Sequence, residues 1–211
     1  MKKVWLMIEL VSLFFIIPYC FFSGIIKFPM IPALIAVFLV CLAIHFLASG
    51  KKNSFHWKIS PIPRDIFIIL AIFAISSIIL TGYVLIFAPE KFLIFPKTKP
   101  FFWLIVMLLY PLLSVFPQEF IYRTFFFERY SSIFTGQNTI ILASSITFSF
   151  LHIVFGNWVA VLLTFIGGIL FSVNYMRNKS LFWVCFEHYL YGAIIFTVGL
   201  GRYFYGASFK G

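Results

Sequence analysis

Long apolar runs separated by short polar connections account for most of the chain. The runs do not alternate between apolar and polar residues, and one largely apolar run extends from Phe101 to Phe127. About 20 consecutive apolar residues can cross a bilayer as a helix, whereas the strands of a membrane β-barrel alternate. Only 10% of the residues are charged, against about 25% in soluble domains. We therefore predict an all-α, polytopic transmembrane helix bundle.

The polar connections divide the chain into about eight helices. The run that begins at Phe101 is too long for one comfortable crossing, and proline both removes a backbone N–H and disfavours helix in the preceding residue. We therefore expect a break at Pro117, with Pro117 or Gln118 opening a new helix. The expected helices cover residues 4–22, 30–48, 65–88, 101–115, 117–133, 138–155, 158–176 and 180–200. They form one transmembrane domain, 1–211, with its motif-bearing core at 117–200.

The chain carries a net charge of +10. No nucleic-acid partner is expected, because the basic residues lie in short connections between apolar runs, where they set membrane topology. Lys2 and Lys3, with the basic connection at 51–64, place the N-terminus in the cytoplasm, and eight crossings return Arg202 to the same side. Glu9 interrupts the first run and no small-residue cleavage site follows it, so we expect an uncleaved helix.

A polar cluster interrupts the longest apolar run at Gln118-Glu119-Phe120-Ile121-Tyr122-Arg123. An ionisable side chain at membrane depth is costly, so it is expected to face the protein interior and to mark function. Glu119 and Arg123 are four residues apart and share one helix face, where they can pair. The alternative is a buried ion pair that only fixes helix packing. Gln118 lies about 100° further round the helix and can also reach the interior.

Two histidines on later helices are candidates to meet this cluster. Glu119 lies 17 residues before Gly136 and His152 lies 16 after it, so an antiparallel helix pair places both side chains at one depth. Uniform spacing leaves His188 roughly 10 Å from the level of His152. Glu187 is adjacent to His188 but points elsewhere, and we suggest Arg123 as its partner.

A buried carboxylate and two imidazoles allow two kinds of chemistry. They can orient and deprotonate a water, while a second histidine donates a hydrogen bond to the developing oxyanion. They can also bind a divalent metal such as zinc, with His152 and His188 as candidate ligands. The spacing matches no HExxH pattern, so spacing alone does not favour the metal.

Three motifs in order resemble the CPBP family, the CAAX prenyl proteases and bacteriocin-processing intramembrane proteases also called the Abi family. The family pattern is EExxxR, FxxxH and HxxxN on a bundle of about eight helices, and here the motifs read Gln118 to Arg123, Phe148 to His152, and His188 to Gly192. The resemblance implies hydrolysis of a peptide bond in a membrane-associated peptide or protein substrate. It implies a catalytic set of Glu119, Arg123, His152 and His188. A bacterial inner (plasma) membrane location is expected.

The chain departs from this pattern at two positions. Gln118 stands where the family has its first glutamate, the residue usually assigned as the base, and Gly192 stands where it has asparagine. Glu119 or Glu187 is expected to serve as the base instead. Asn157 is a candidate to replace the missing amide donor, with a helix cap as its alternative role. The alternative function is a catalytically altered or inactive member that binds a peptide or lipid in the same pocket. A transporter is a third hypothesis, but it would require a sequence repeat.

Overall fold

The described residues of a computed structural model, 2–49, 57–59 and 63–205, form a bundle of eight helices with no strand among them. This architecture confirms the predicted all-α transmembrane bundle. In chain order the helices are α1 (Lys2–Val11, Ser12–Ile16 and Ile17–Phe22), α2 (Met30–Ser49), α3 (Pro63–Phe87), α4 (Ile94–Thr98), α5 (Pro100–Tyr130), α6 (Gln137–Phe155), α7 (Trp158–Asn178) and α8 (Leu181–Val198). All except the short α4 are long and apolar enough to cross a membrane.

Helix α5 is continuous through Pro117, so the expected break at that residue is wrong. Phe116, the residue before the proline, keeps helical angles of φ −59° and ψ −48°. Two π-helical turns, Pro111–Val115 and Phe120–Phe125, flank the position. Prolines are tolerated in membrane helices because local π-type adjustments restore hydrogen bonds to the freed backbone groups. The helix widens at its prolines instead of ending there.

Seven crossings place Lys2 and Arg202 at opposite ends of the bundle. The expectation that both lie on one face is therefore wrong, because it counted an additional crossing at Pro117. A contact at each end fits this topology. At the Lys2 end, the Glu9 carboxylate of α1 accepts two hydrogen bonds from Arg129 of α5, at 2.9 and 2.7 Å. At the other end, the Asn157 side chain donates to the Tyr203 carbonyl at 3.0 Å.

Helices α6 and α7 pack closely against each other and hold Phe148 and Phe171 in the buried core. A Cβ atom added to Gly168 of α7 would lie 3.1 Å from the Cα of Ser145 on α6. In membranes, small residues allow helix backbones to approach closely, and polar side chains hydrogen-bond across the interface. Ser145 and Ser172 do so here, with their hydroxyl oxygens 3.5 Å apart. Phe148 of α6 and Phe171 of α7 then face the interior where the polar cluster lies.

We predict that Gly168→Val destabilises the protein by about 1–3 kcal/mol, because overpacking forces the two backbones apart. Thermal unfolding in detergent micelles measures the effect. Gly82→Val is the matched control, because a Cβ at Gly82 meets nothing within 4 Å. Equal melting temperatures for the two variants would contradict the close α6–α7 contact.

Candidate active site

Glu119 on α5 is fully buried and lies between the side chains of Arg123 and His188. Its Oε1 atom is 2.7 Å from Nδ1 of His188, and its Oε2 atom is 3.1 Å from Nε of Arg123. The second contact is an ion pair without an aligned hydrogen bond. The pairing expected from the four-residue spacing of Glu119 and Arg123 is thus present. The carboxylate is directed at these two groups.

The Arg123 guanidinium is also fully buried and is held by α6 as well as by Glu119. Its Nη1 atom donates to the Ser144 hydroxyl at 2.7 Å, and that hydroxyl donates to the Tyr122 carbonyl at 2.7 Å. The guanidinium carbon lies 5.1 Å from the ring centre of Phe148 and 5.9 Å from that of Phe171. Contacts of this kind stabilise a cation where water is absent.

His188 is enclosed by aromatic rings. Its ring stacks on Phe171 with centres 4.7 Å apart and meets the edges of Phe148 and Tyr110 at 5.6 and 6.0 Å. An ionised carboxylate only accepts hydrogen bonds, so Nδ1 of His188 carries a proton and donates it to Glu119. Glu119 therefore fixes the orientation of the His188 ring and leaves its Nε2 atom for other contacts.

His152 is also held through its Nδ1 atom, but by a backbone carbonyl instead of a carboxylate. Its Nδ1 atom is 2.8 Å from the Phe148 carbonyl. A carbonyl only accepts, so the proton of the neutral ring is on Nδ1 and Nε2 carries a lone pair. The ring also lies 5.0 Å from the Phe148 ring. Phe148 therefore contacts both imidazoles, although uniform spacing separated His152 and His188 in depth.

A cavity of about 130 Å³ opens beside His152. Its walls are mostly apolar side chains of α1 and α2, and its polar end is formed by Ser114, Gln118 and His152. The Gln118 Nε2 atom donates to the Ser114 hydroxyl at 2.7 Å, whereas its Oε1 atom is buried without a hydrogen-bond partner among the described residues. Glu119, Arg123 and His188 do not line this cavity. The predicted residues thus fall into two groups. Gln118 and His152 line the cavity, whereas Glu119, Arg123 and His188 form a charge network outside its lining.

Glu187 and Asn157 make contacts different from those suggested. Glu187 is buried and accepts a hydrogen bond from the Asn174 side chain at 2.7 Å, so the suggested Arg123 partner is replaced by Asn174. The Asn157 Oδ1 atom accepts from the backbone N–H of Ala160 at 2.8 Å and caps α7. Its Nδ2 group donates to two backbone carbonyls. Its amide is therefore used as a helix cap and not as a donor in the cavity.

The donor set does not complete a protein-held metal site. Within the described ranges, no three His, Cys, Asp or Glu side chains lie together so as to hold a metal. His152 and His188 each have Nδ1 engaged, which leaves two nitrogen donors where catalytic zinc sites use three protein ligands. Ligation of a metal by this pair stays a prediction, and no chemical step is derived from it.

Several residues of this site were missed by sequence reasoning. Phe171 and Tyr110 belong to no motif, and nothing separates them from the other aromatic residues of the chain. Ser144 lies among small polar residues of α6, a pattern that marks helix contacts in membranes. Gly192 lies inside a membrane helix, where a small residue allows a neighbour to approach closely. That signal points to the neighbour of Gly192, which is Tyr110.

We predict that Arg123→Met destabilises the protein by roughly 3–5 kcal/mol, because the buried Glu119 carboxylate loses its guanidinium. The double variant Arg123→Met/Glu119→Leu should recover a large part of that loss. Unfolding by SDS titration measures both values. The control is Arg202→Met, since Arg202 is exposed and lies over the Tyr203 ring. Absence of recovery in the double variant would contradict the pairing.

Residues 100–194, from the start of α5 into α8, match the family model described as type II CAAX prenyl endopeptidase Rce1-like. The matched segment contains the charge network and the polar end of the cavity. A search of curated proteins and a search of solved structures found no match to the chain. At the family level, the match implies an intramembrane endopeptidase of the CAAX-protease type, acting in a bilayer on membrane-associated substrates. It confirms the resemblance to the CPBP family seen in the three motifs.

Proposed function

We propose that this protein hydrolyses a peptide bond of a membrane-associated substrate in the cavity beside His152. One observation carries the proposal: His152 lines the cavity while its Nδ1 atom is bound to the Phe148 carbonyl. The ring therefore presents a basic Nε2 atom. An imidazole in this state can accept a proton from water at the moment of attack.

The proposed reaction passes through a tetrahedral oxyanion, which collapses back to a carbonyl when the C–N bond breaks. The water oxygen bonds to the substrate carbonyl carbon, and Nε2 of His152 takes the water proton. The carbonyl oxygen becomes an oxyanion. His152 then returns the proton to the amide nitrogen, the C–N bond breaks, and the products are a carboxylic acid and an amine. The oxyanion requires hydrogen-bond donors. His188 contacts the same Phe148 ring as His152 and can donate from Nε2 when its ring is an imidazolium. In this scheme the scissile carbonyl extends from the cavity past the Phe148 ring to His188.

In this scheme, Glu119 and Arg123 act through His188. One carboxylate oxygen of Glu119 holds Nδ1 of His188, and the other is paired with the Arg123 guanidinium. Because Glu119 does not line the cavity, we assign water activation to His152 and a positioning role to Glu119. Gln118 cannot take a proton, but its free Oε1 atom can accept a hydrogen bond from the attacking water and orient it.

The cavity walls indicate the kind of substrate. Apolar side chains of α1 and α2 form most of the lining, which suits a substrate that carries an apolar group into the bilayer. The orientation follows from charge. Seven described basic residues lie toward the Lys2 end of the bundle and five toward the Arg202 end, apart from the interior Arg123. By the positive-inside rule, the Lys2 end is cytoplasmic.

We predict that His152→Ala lowers kcat/KM by about 10²–10⁴-fold, the contribution of a general base. The assay uses full-length protein in proteoliposomes and a farnesylated, internally quenched CAAX peptide. His45→Ala is the matched control, because His45 is a buried histidine of α2 that pairs with Glu128 outside the cavity. Parental activity in His152→Ala, with an unchanged melting temperature, would contradict the proposal.

A second candidate function is peptide or lipid binding without hydrolysis, and Gln118 is the observation that favours it. The Gln118 amide at the polar end of the cavity can hydrogen-bond a ligand, but it cannot serve as a base as a carboxylate could.

Gln118→Glu separates the two functions. If the protein is an enzyme, we expect the parent to cleave the peptide and Gln118→Glu to change kcat by less than about tenfold, because His152 remains the base. If it is a binding protein, the parent is inert and the variant gains hydrolysis. Gln137→Glu, an exposed change at the start of α6, is the control for added charge.

A further inference from the structure

Gly192 lies on α8 one helical turn after His188, and Tyr110 of α5 fills the space beside it. A Cβ atom at Gly192 would overlap the Cε1, Cζ and hydroxyl oxygen atoms of Tyr110. The Tyr110 ring thus occupies the volume that a side chain at position 192 would take. Its hydroxyl lies at about the reach of an asparagine amide from that Cβ position.

The same ring contacts His188. The centres of the Tyr110 and His188 rings are 6.0 Å apart at an interplanar angle of 81°. Phe171 stacks on the His188 ring at 4.7 Å, and Glu119 binds its Nδ1 atom. Tyr110 therefore carries a hydroxyl beside an imidazole whose position is already set by other contacts.

The Tyr110 hydroxyl makes no hydrogen bond to any residue in the described part of the chain. Tyr110 is a half-buried residue, whereas the hydroxyl of Tyr191 is fully buried. A phenol O–H in apolar surroundings gains free energy when it finds an acceptor. The carbonyl oxygen of a bound peptide is such an acceptor, and none of the surrounding ring contacts uses this donor.

We propose that the Tyr110 hydroxyl donates a hydrogen bond to the substrate carbonyl oxygen beside His188 and stabilises the oxyanion during hydrolysis. This inference rests on the proposed peptidase function. Tyr110 then supplies a donor that Gly192, which has no side chain, does not provide. The glycine is required because any larger residue would displace the ring.

Tyr110→Phe tests the donor directly, since it removes only the hydroxyl. In proteoliposomes with the farnesylated CAAX peptide, kcat should fall by about 10²-fold, as for loss of one oxyanion donor, with little change in KM. Tyr83→Phe, a change on an exposed tyrosine of α3, should have no effect. Unchanged kcat in Tyr110→Phe would overturn the proposal.

A binding measurement keeps the test independent of turnover. The probe is a farnesylated peptide in which a phosphinate replaces the scissile amide and mimics the tetrahedral oxyanion. Tyr110→Phe should weaken phosphinate binding by at least about tenfold but leave binding of the parent peptide unchanged. A purely structural role would weaken both equally and overturn the proposal. If the parent binds the phosphinate through Tyr110 but cleaves nothing, the hydroxyl contact stands and the peptidase function fails.

A compensating pair tests the shared volume. Gly192→Asn alone should lower the melting temperature, because its side chain collides with the Tyr110 ring. Tyr110→Ala opens the space, so the double variant Tyr110→Ala/Gly192→Asn should fold and recover part of the kcat lost in Tyr110→Ala. A double variant no more active than Tyr110→Ala would overturn the proposal that a donor is needed at this point.

Discussion

The Glu119 carboxylate, fully buried between Arg123 and His188, is the interaction on which the arrangement of the helices depends. Removing a charge from water costs several kcal/mol, and the cost is offset only where partners are close and well placed. Here the network joins four helices. Arg123, on α5 with Glu119, donates to the Ser144 hydroxyl on α6 and lies near Phe171 on α7. His188 joins from α8. Displacing any of these helices would leave a buried charge with an incomplete set of contacts.

The pairing of Glu119 with Arg123 could be predicted from the sequence, whereas the number of membrane crossings could not. The Glu119–Arg123 pair follows from a four-residue spacing on one helix, which holds wherever that helix lies. The break at Pro117 failed because rules for proline in water do not allow for a membrane, where a helix keeps its backbone hydrogen bonds by local π turns. The number of crossings, and with it the relation between the Lys2 and Arg202 ends, depended on that one residue.

The directions of the Gln118 and Glu119 side chains also could not be predicted from the sequence. Gln118 and Glu119 are successive residues, and spacing alone shows that they point differently but not which of them faces a cavity. The structure places Gln118 with His152 at the polar end of the cavity and Glu119 with His188 behind it. That division follows from the packing of α1 and α2 against α5, which no local pattern encodes. The role of Tyr110 is hidden for the same reason, because only the contact with Gly192 reveals it.

Because Gln118 and not Glu119 lines the cavity, the residue at position 118 can act on the attacking water. If Glu119 were the base, an amide at position 118 would be a minor neighbour. With Glu119 held by Arg123 and His188, the cavity contains one side chain able to take a proton from water, His152, and one amide able to orient that water. The proposed chemistry therefore depends on a single nitrogen atom, Nε2 of His152, and on the hydrogen bond to Phe148 that leaves it unprotonated.

The protonation of His152 is the most direct test of this account. Solid-state NMR of the ¹⁵N-histidine-labelled protein in bilayers at neutral pH reports which ring nitrogen carries the proton, and the spectrum of His152→Gln assigns the signal. We predict a neutral His152 with its proton on Nδ1 and a lone pair on Nε2. A His152 ring protonated on Nε2, with a bare Nδ1, would contradict it, because no base would then face the cavity.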